Sequence, residues 1–257
     1  GKMLNIKNKK ICLLIGGAGK GYGSQILETL LQSNFQVIVT SRFSKKLKDL
    51  KKKYKIYKNS IYTLKINLNN NQSMFNFIKK IKKKYNVIDV LINNAGANNL
   101  KPFNKQSYKD WQKVINVNVI SNIQITREVL KIMNKKKICR IINISSIYGI
   151  NPPKHHIYGN SKINSPLIYG VSKAAIIYLT KYLASVVPKN IRVNCISPGG
   201  LDSNQPKFFK NNYIKYTSLK RMANEKDLKG IINYLLSDSS NYMTGQNLII
   251  DGGWTLN

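Results

Sequence analysis

Ile11-Cys12-Leu13-Leu14-Ile15-Gly16-Gly17-Ala18-Gly19-Lys20-Gly21-Tyr22-Gly23 is the stretch from which the fold can be read. Five apolar residues in a row suit a strand buried on both faces. Glycines follow at once, and an apolar period through Ile26, Leu27, Leu30 and Leu31 then predicts a helix. Strand, glycine turn and helix together make a phosphate site. Glycines let the backbone turn tightly and approach a ligand, and the helix N-terminus offers free amides and partial positive charge. Gly17, Gly19, Gly21 and Gly23, with Lys20 and Tyr22 between them, are the candidate cradle.

The alternation of strand and helix continues along the chain. A second strand at 36–40 ends at Ser41-Arg42, a third at 61–66 ends at Asn67-Leu68, and a lysine-rich helix follows at 72–84. A fourth strand at 87–92 runs into Asn93-Asn94-Ala95-Gly96, and a long helical pattern spans 116–133 around Asn118. A fifth strand at 139–144 delivers Ser145-Ser146 at its C-terminal end, where open parallel sheets bind ligands. This order predicts a single doubly wound α/β domain of Rossmann type over 1–257, with a mainly parallel seven-stranded sheet and helices on both faces. At the end of the second strand an acidic residue would bind the ribose hydroxyls of NAD. A hydroxyl and a guanidinium stand there instead, with Lys20 nearby, so NADP(H) is expected over NAD(H).

Ser165-Pro166-Leu167-Ile168-Tyr169-Gly170-Val171-Ser172-Lys173 reads as a helix start, because a hydroxyl can accept the orphan amides and proline fits the first helical position. Tyr169 and Lys173, four apart, share a face, so a phenol can lie beside an ammonium whose charge would favour the phenolate. In a chain rich in both residues this pair alone does not decide between chemistry and an ordinary amphipathic helix.

Taken together these residues resemble the short-chain dehydrogenase/reductase family, in the branch whose chains are about as long as this one, and the resemblance covers the whole chain. Gly17, Gly21 and Gly23 match its cofactor turn, and Asn93 to Gly96 its Asn-Asn-Ala-Gly element. Its catalytic Asn, Ser, Tyr and Lys fall on Asn118, Ser146, Tyr169 and Lys173. Pro198-Gly199, Thr244-Gly245-Gln246 and Asp251-Gly252-Gly253 match its later elements. The resemblance implies hydride transfer between a nicotinamide cofactor and a small-molecule ketone or secondary alcohol. Tyr169 would be the general acid or base, with Lys173 lowering its pKa and holding the ribose. Ser146 would hold the substrate oxygen, Asn118 would anchor a water linked to Lys173, and Ser203 would contact the carboxamide. Asn67, Leu68, Asn94, Ala95, Gly96, Pro198 and Gly199 complete the implied cofactor site. A homo-oligomer, tetramer or dimer, is implied as well.

Two departures stand out. Gly16 replaces the usual threonine and is expected to loosen the turn. Tyr169 also lies 23 residues past Ser146, a longer gap than is common in the family, and the gap contains a second Tyr-x-x-x-Lys, Tyr158 to Lys162. Pro166 would stop a helix begun at Tyr158, so Tyr169 is preferred. The insertion 151–168, with His155, His156, Tyr158 and Asn164, is a candidate substrate wall, although paired histidines in a loop are more often simply solvated. The segment 200–222, with Phe208, Phe209, Tyr213 and Tyr216, is a candidate lid, and packing explains its aromatics equally well. The wording around Ser146-Ile147-Tyr148-Gly149 and Ser197-Pro198-Gly199-Gly200 is similar to the sub-branch of flagellin-modification and surface-glycan sugar enzymes. A 3-oxoacyl carrier-protein reductase is the alternative enzyme, and a binding module that lost its chemistry is the alternative of another class.

Composition bounds the remainder. The chain is long enough to bury a sizeable core. Its longest apolar runs cannot cross a bilayer and no signal-like stretch opens it, so a cytoplasmic protein is expected. Cys12, Cys139 and Cys195 are odd in number and lie in strand-like segments, which makes them free core thiols rather than disulfides or metal ligands. The net charge of +33 invites a polyanion partner. Yet 38 of the 43 basic residues are lysine. Specific phosphate recognition favours arginine, so solvated helix faces explain the charge better than specific nucleic-acid binding.

Overall fold

A computed structural model describes residues 9–159 and 164–256. Its strands are β1 Ile11–Ile15, β2 Gln36–Ser41, β3 Ile61–Lys65, β4 Val90–Asn93, β5 Cys139–Ile144, β6 Ile191–Pro198 and β7 Asn247–Ile250. They form one parallel sheet in the order β3-β2-β1-β4-β5-β6-β7. The strand order reverses between β1 and β4, so the connections leave this junction toward opposite faces and open a crevice at the strands' C-terminal ends.

The α-helices, in chain order, are α1 Tyr22–Gln32, α2 Ser44–Lys53, α3 Asn71–Lys84, α4 Tyr108–Ile115, α5 Ser121–Leu130, α6 Leu167–Val186, α7 Lys207–Tyr213 and α8 Lys229–Leu236. Leu27, Leu30, Leu50 and Ile232 from α1, α2 and α8 pack on one face of the sheet. Phe77, Ile81, Ile125 and Val129 from α3 and α5, with Leu183 of α6, cover the other. A third apolar cluster joins Ile147, Tyr158, Phe209, Tyr213, Met222 and Trp254 above the strand ends. Among the described residues no helix is long and apolar enough to cross a membrane. Cys12, Cys139 and Cys195 are free and buried.

Two helices depart from the expected pattern. The helical run expected at 116–133 breaks into a π-turn, Asn116–Ile120, ahead of α5, with the Ser121 amide donating to the Asn116 carbonyl five residues back. Asn118 lies within this wider turn, and its side chain is buried. The second difference concerns α6, which starts at Leu167 with Pro166 as its extended N-cap residue and no side-chain cap. Ser165 does not cap the helix; its hydroxyl bonds the Tyr158 side chain instead.

Polar side chains inside the sheet–helix interface bond one another, leaving the Asn93 side-chain oxygen without a partner. Asn93 donates to Asn122, Thr126 and Asn143, and Asn143 donates to Thr180 at 2.9 Å. Asn143 is fully buried, so truncating it strips partners from Asn93 and Thr180 at once. Asn143→Ala should cost about 2–4 kcal/mol, read as a lower urea midpoint with unchanged slope. A loss below about 0.5 kcal/mol would show that these amides are not mutually dependent.

Candidate active site

The crevice at the C-terminal ends of β1, β4, β5 and β6 holds a cavity of about 1120 Å³. Its floor is built by close backbone approach. At Gly17 a Cβ would lie 2.4 Å from the Leu14 side chain, and at Gly23 one would lie 2.6 Å from the Gly16 carbonyl oxygen. Asn94 donates its side-chain amide to the same Gly16 carbonyl, and the Gly16 amide donates to Thr40 Oγ1 at 3.0 Å. Gly16 itself sits at φ +82°, with a Cβ position 2.6 Å from the Ala95 Cβ. Glycine here therefore tightens the junction of β1 with the β4 loop, contrary to the loosening expected from the missing threonine.

Lys20, Ser41, Arg42, Asn67 and Leu68 line the cavity at the β1–β2 end. The Arg42 guanidinium lies 4.6 Å from the centre of the Phe43 ring, and the Lys46 ammonium 5.3 Å from it. Lys46 also lines the cavity and reaches within 3.9 Å of where a Gly19 Cβ would be. Sequence reading missed Lys46 because one lysine in a run of lysines carries no signal. Its place one helical turn after Arg42, on the first turn of α2, was the available clue.

Residues from β5 and α6 meet at the centre of the cavity. The turn Ile147–Gly149 lies so close to α6 that a Cβ on Gly149 would stand 2.6 Å from the Lys173 carbonyl carbon, and one on Gly170 2.9 Å from the Tyr148 oxygen. These two glycines let Ser146 and Tyr169 approach, and the Ser146 side chain hydrogen-bonds the Tyr169 phenol. Ser145 Oγ donates to the Lys173 carbonyl at 2.7 Å, and Lys173 Nζ donates to the Ile144 carbonyl at 2.9 Å. The Lys173 ammonium stands 5.7 Å from the Tyr169 ring centre.

Asn118 lies behind this group, not on the cavity wall. Its amide donates to the Ala97 carbonyl and to Ser172 Oγ, and its oxygen accepts the Ala97 amide at 2.7 Å. Ser172 in turn donates to the Tyr169 carbonyl, so Asn118 ties the β4 loop to the first turn of α6. Asn94, Ala95, Gly96, Tyr22, Gly19, Gly23, Pro198, Gly199 and Ser203 line the cavity, whereas Gly17 and Gly21 lie in its supporting turn. Tyr22 also donates to the Gly199 carbonyl at 3.0 Å, which joins the glycine turn to β6.

Burial raises the Tyr169 phenol above its usual range, partly offset by the Ser146 hydrogen bond. Burial, with the neighbouring Tyr158, sets the direction rather than Lys173, and the phenol stays neutral near pH 7. Burial likewise lowers Lys173 to about 8. A neutral phenol beside a buried amine can give a proton to a ligand oxygen held by Ser146.

Tyr158 also lines the cavity, with its hydroxyl 2.9 Å from that of Tyr148. It ends a short 3₁₀ turn, and Lys162, its sequence partner in the second Tyr-x-x-x-Lys, lies outside the described residues. His155 and His156 are exposed and off the cavity wall; His156 hydrogen-bonds Tyr216. Among the described residues no three His, Cys, Asp or Glu gather to hold a metal ion.

Residues 17–255 match a family model described as enoyl-(acyl carrier protein) reductase. The chain belongs to the short-chain dehydrogenase/reductase family. It is similar to post-translational flagellin modification protein A of Campylobacter coli, 31% identical over 253 residues that cover 96% of this chain and 98% of that one. Among solved structures it resembles a short-chain dehydrogenase of Leptospira borgpetersenii with bound NAD+. That likeness has a TM-score of 0.84 and 33% identity, and covers 99% and 98% of the two chains. It also resembles ElxO with NADP bound, at TM-score 0.84 and 27% identity over 97% and 100%. The chain is thus an oxidoreductase of this family, whose cavity suits a nicotinamide cofactor. Gly17 and Gly23 let the turn pack close against the sheet, while Gly19, on the cavity wall with only the Lys46 ammonium within 4 Å of a Cβ, leaves the backbone room that a pyrophosphate needs.

The buried Lys173 generates a stability test. Below pH 8 it is charged in both the folded and the unfolded chain, so its burial cost is complete. Between about 8 and the ordinary 10.5 the unfolded chain binds more protons, and this residue's contribution to stability rises with pH. Lys173→Met should therefore unfold at roughly 1–3 kcal/mol higher free energy than wild type at pH 7, a gap that closes by pH 10.5. A gap that stayed constant in chemical denaturation across this range would contradict the burial argument.

Proposed function

We propose that this protein is an NADP(H)-preferring reductase that interconverts a ketone and a secondary alcohol on a sugar or sugar nucleotide. The observation that carries the reaction is the Ser146–Tyr169 hydrogen bond at the cavity centre, with the phenol neutral and Lys173 buried beside it. When bound, the nicotinamide supplies or accepts the hydride. Ser146 orients the substrate oxygen, and Tyr169 gives it a proton in reduction or takes one in oxidation. Lys173 holds the ribose hydroxyls. Asn118, its side chain committed to Ala97 and Ser172, positions α6.

Three cations, Lys20, Arg42 and Lys46, stand where the adenosine ribose would lie and support a preference for the 2′-phosphate. Hydroxyls and amides of Tyr148, Tyr158, Asn164, Asn204 and Gln205 line the substrate end and support a hydroxylated substrate over an acyl chain. The similarity to a flagellin modification protein points the same way. A 3-oxoacyl carrier-protein reductase is the second reading, favoured by the basic surface, which suits an acidic carrier. NADPH consumption measured with keto-sugar nucleotides and with acetoacetyl thioesters separates the two.

Tyr169→Phe should lower kcat by about 10²–10⁴-fold while leaving the cofactor dissociation constant in place, because only the proton donor is lost. Tyr158→Phe should keep measurable turnover. The reverse pattern would move the acid–base role to Tyr158. In fluorescence titrations NADPH should bind wild type more tightly than NADH. Arg42→Ala or Lys46→Ala should weaken NADPH roughly tenfold and NADH little. Equal wild-type affinities would refute the preference.

A further inference from the structure

Gly21 is the N-cap residue of α1, at φ +99°, and no side chain within the helix caps it. A carboxylate from far along the chain does so. Glu225 Oε1 accepts the Gly21 amide at 2.9 Å, across 204 residues of sequence. Glu225 is one of ten acidic residues in a chain of net charge +33. It begins the 3₁₀ turn Glu225–Leu228, which is firmly anchored: Asn224 and Asp227 form a capping box, Arg221 grips both oxygens of Asp227, and Leu228 is buried. The residue is therefore held by its turn at the start of α1, against the supporting turn of the phosphate cradle and just behind the cavity wall.

A helix N-terminus stabilises one anion well, and two anions there repel. We propose that Glu225 is a displaceable anion which competes with the pyrophosphate of the dinucleotide for the start of α1, thereby weakening cofactor binding and speeding its release. The carboxylate satisfies the Gly21 amide, and a pyrophosphate arriving at the helix start would make it swing away or stay at an electrostatic cost. Being exposed, it can swing into solvent without leaving a buried charge. The competition acts on the pyrophosphate, which NADPH and NADH share, and so it is independent of the contacts that distinguish them.

Direct titration of cofactor into nucleotide-free protein, by fluorescence and calorimetry, tests this. Glu225→Gln should tighten NADPH and NADH alike by about three- to fivefold and slow their release in stopped flow, and Glu225→Ala should do the same. Glu128→Gln, on α5 and outside the cavity, makes the same change in net charge and should leave both affinities unchanged. Unchanged or weaker binding in both Glu225 variants would overturn the proposal, as would equal tightening by Glu128→Gln or a response confined to NADPH. A fall in the melting temperature of nucleotide-free Glu225→Ala, with cofactor tightened, fits the proposal, because the carboxylate then caps the helix only until the nucleotide arrives.

Discussion

The close seam between the Ile147–Gly149 turn and the first turns of α6 is the constraint on which the rest of the site depends. Neither Gly149 nor Gly170 has room for a Cβ, because backbone lies where it would be. The seam is pinned on both sides: Ser145 donates to the Lys173 carbonyl, and Lys173 donates to the carbonyl at the end of β5. Two rigid elements thus fix Ser146 against Tyr169, and neither side chain has to be ordered when a ligand enters. The same closeness buries Lys173 and the phenol, so the geometry that assembles the chemistry also sets the protonation states it starts from.

The second support comes from the strand switch between β1 and β4. Asn94 and Gly16 bond across it, and Asn118 carries the connection from the β4 loop through Ser172 to Tyr169. The glycine turn after β1 and the Ser146–Tyr169 pair are thus linked through the β4 loop by hydrogen bonds in the core of the protein. The lysines of α2 and α3 stay clear of this path. On α2 and α3 they occupy exposed positions, while Leu47, Leu50, Met74, Phe77 and Ile81 face inward, as solvated helix faces require.

Much of this was legible in the sequence because backbone needs leave local signatures. The glycines between strand and helix at 16–23, and the apolar runs before Asn93 and Ser145, placed the sheet and its ligand end. The helix expected to open at Ser165-Pro166 begins at Leu167, with Pro166 as its N-cap residue. What sequence could not give depended on partners distant in the chain. Ser165 looked like a cap but bonds Tyr158, and nothing local announced the π-turn that holds Asn118 inside the protein. Gly16 looked loose until Ala95 met it. Glu225, 204 residues from Gly21, had no local pattern at all, and Lys46 was hidden among its neighbours.

In the proposed reaction a nicotinamide bound in this cavity would give a hydride to a carbonyl carbon whose oxygen Tyr169 protonates. It is tested most directly by following the label from NADPH deuterated at nicotinamide C4, with a keto-sugar nucleotide as acceptor. Deuterium should appear on the new carbinol carbon, and none should be lost to solvent. If NADPH binds but its label reaches no ketone in a panel that includes acetoacetyl thioesters, the reductase account is wrong.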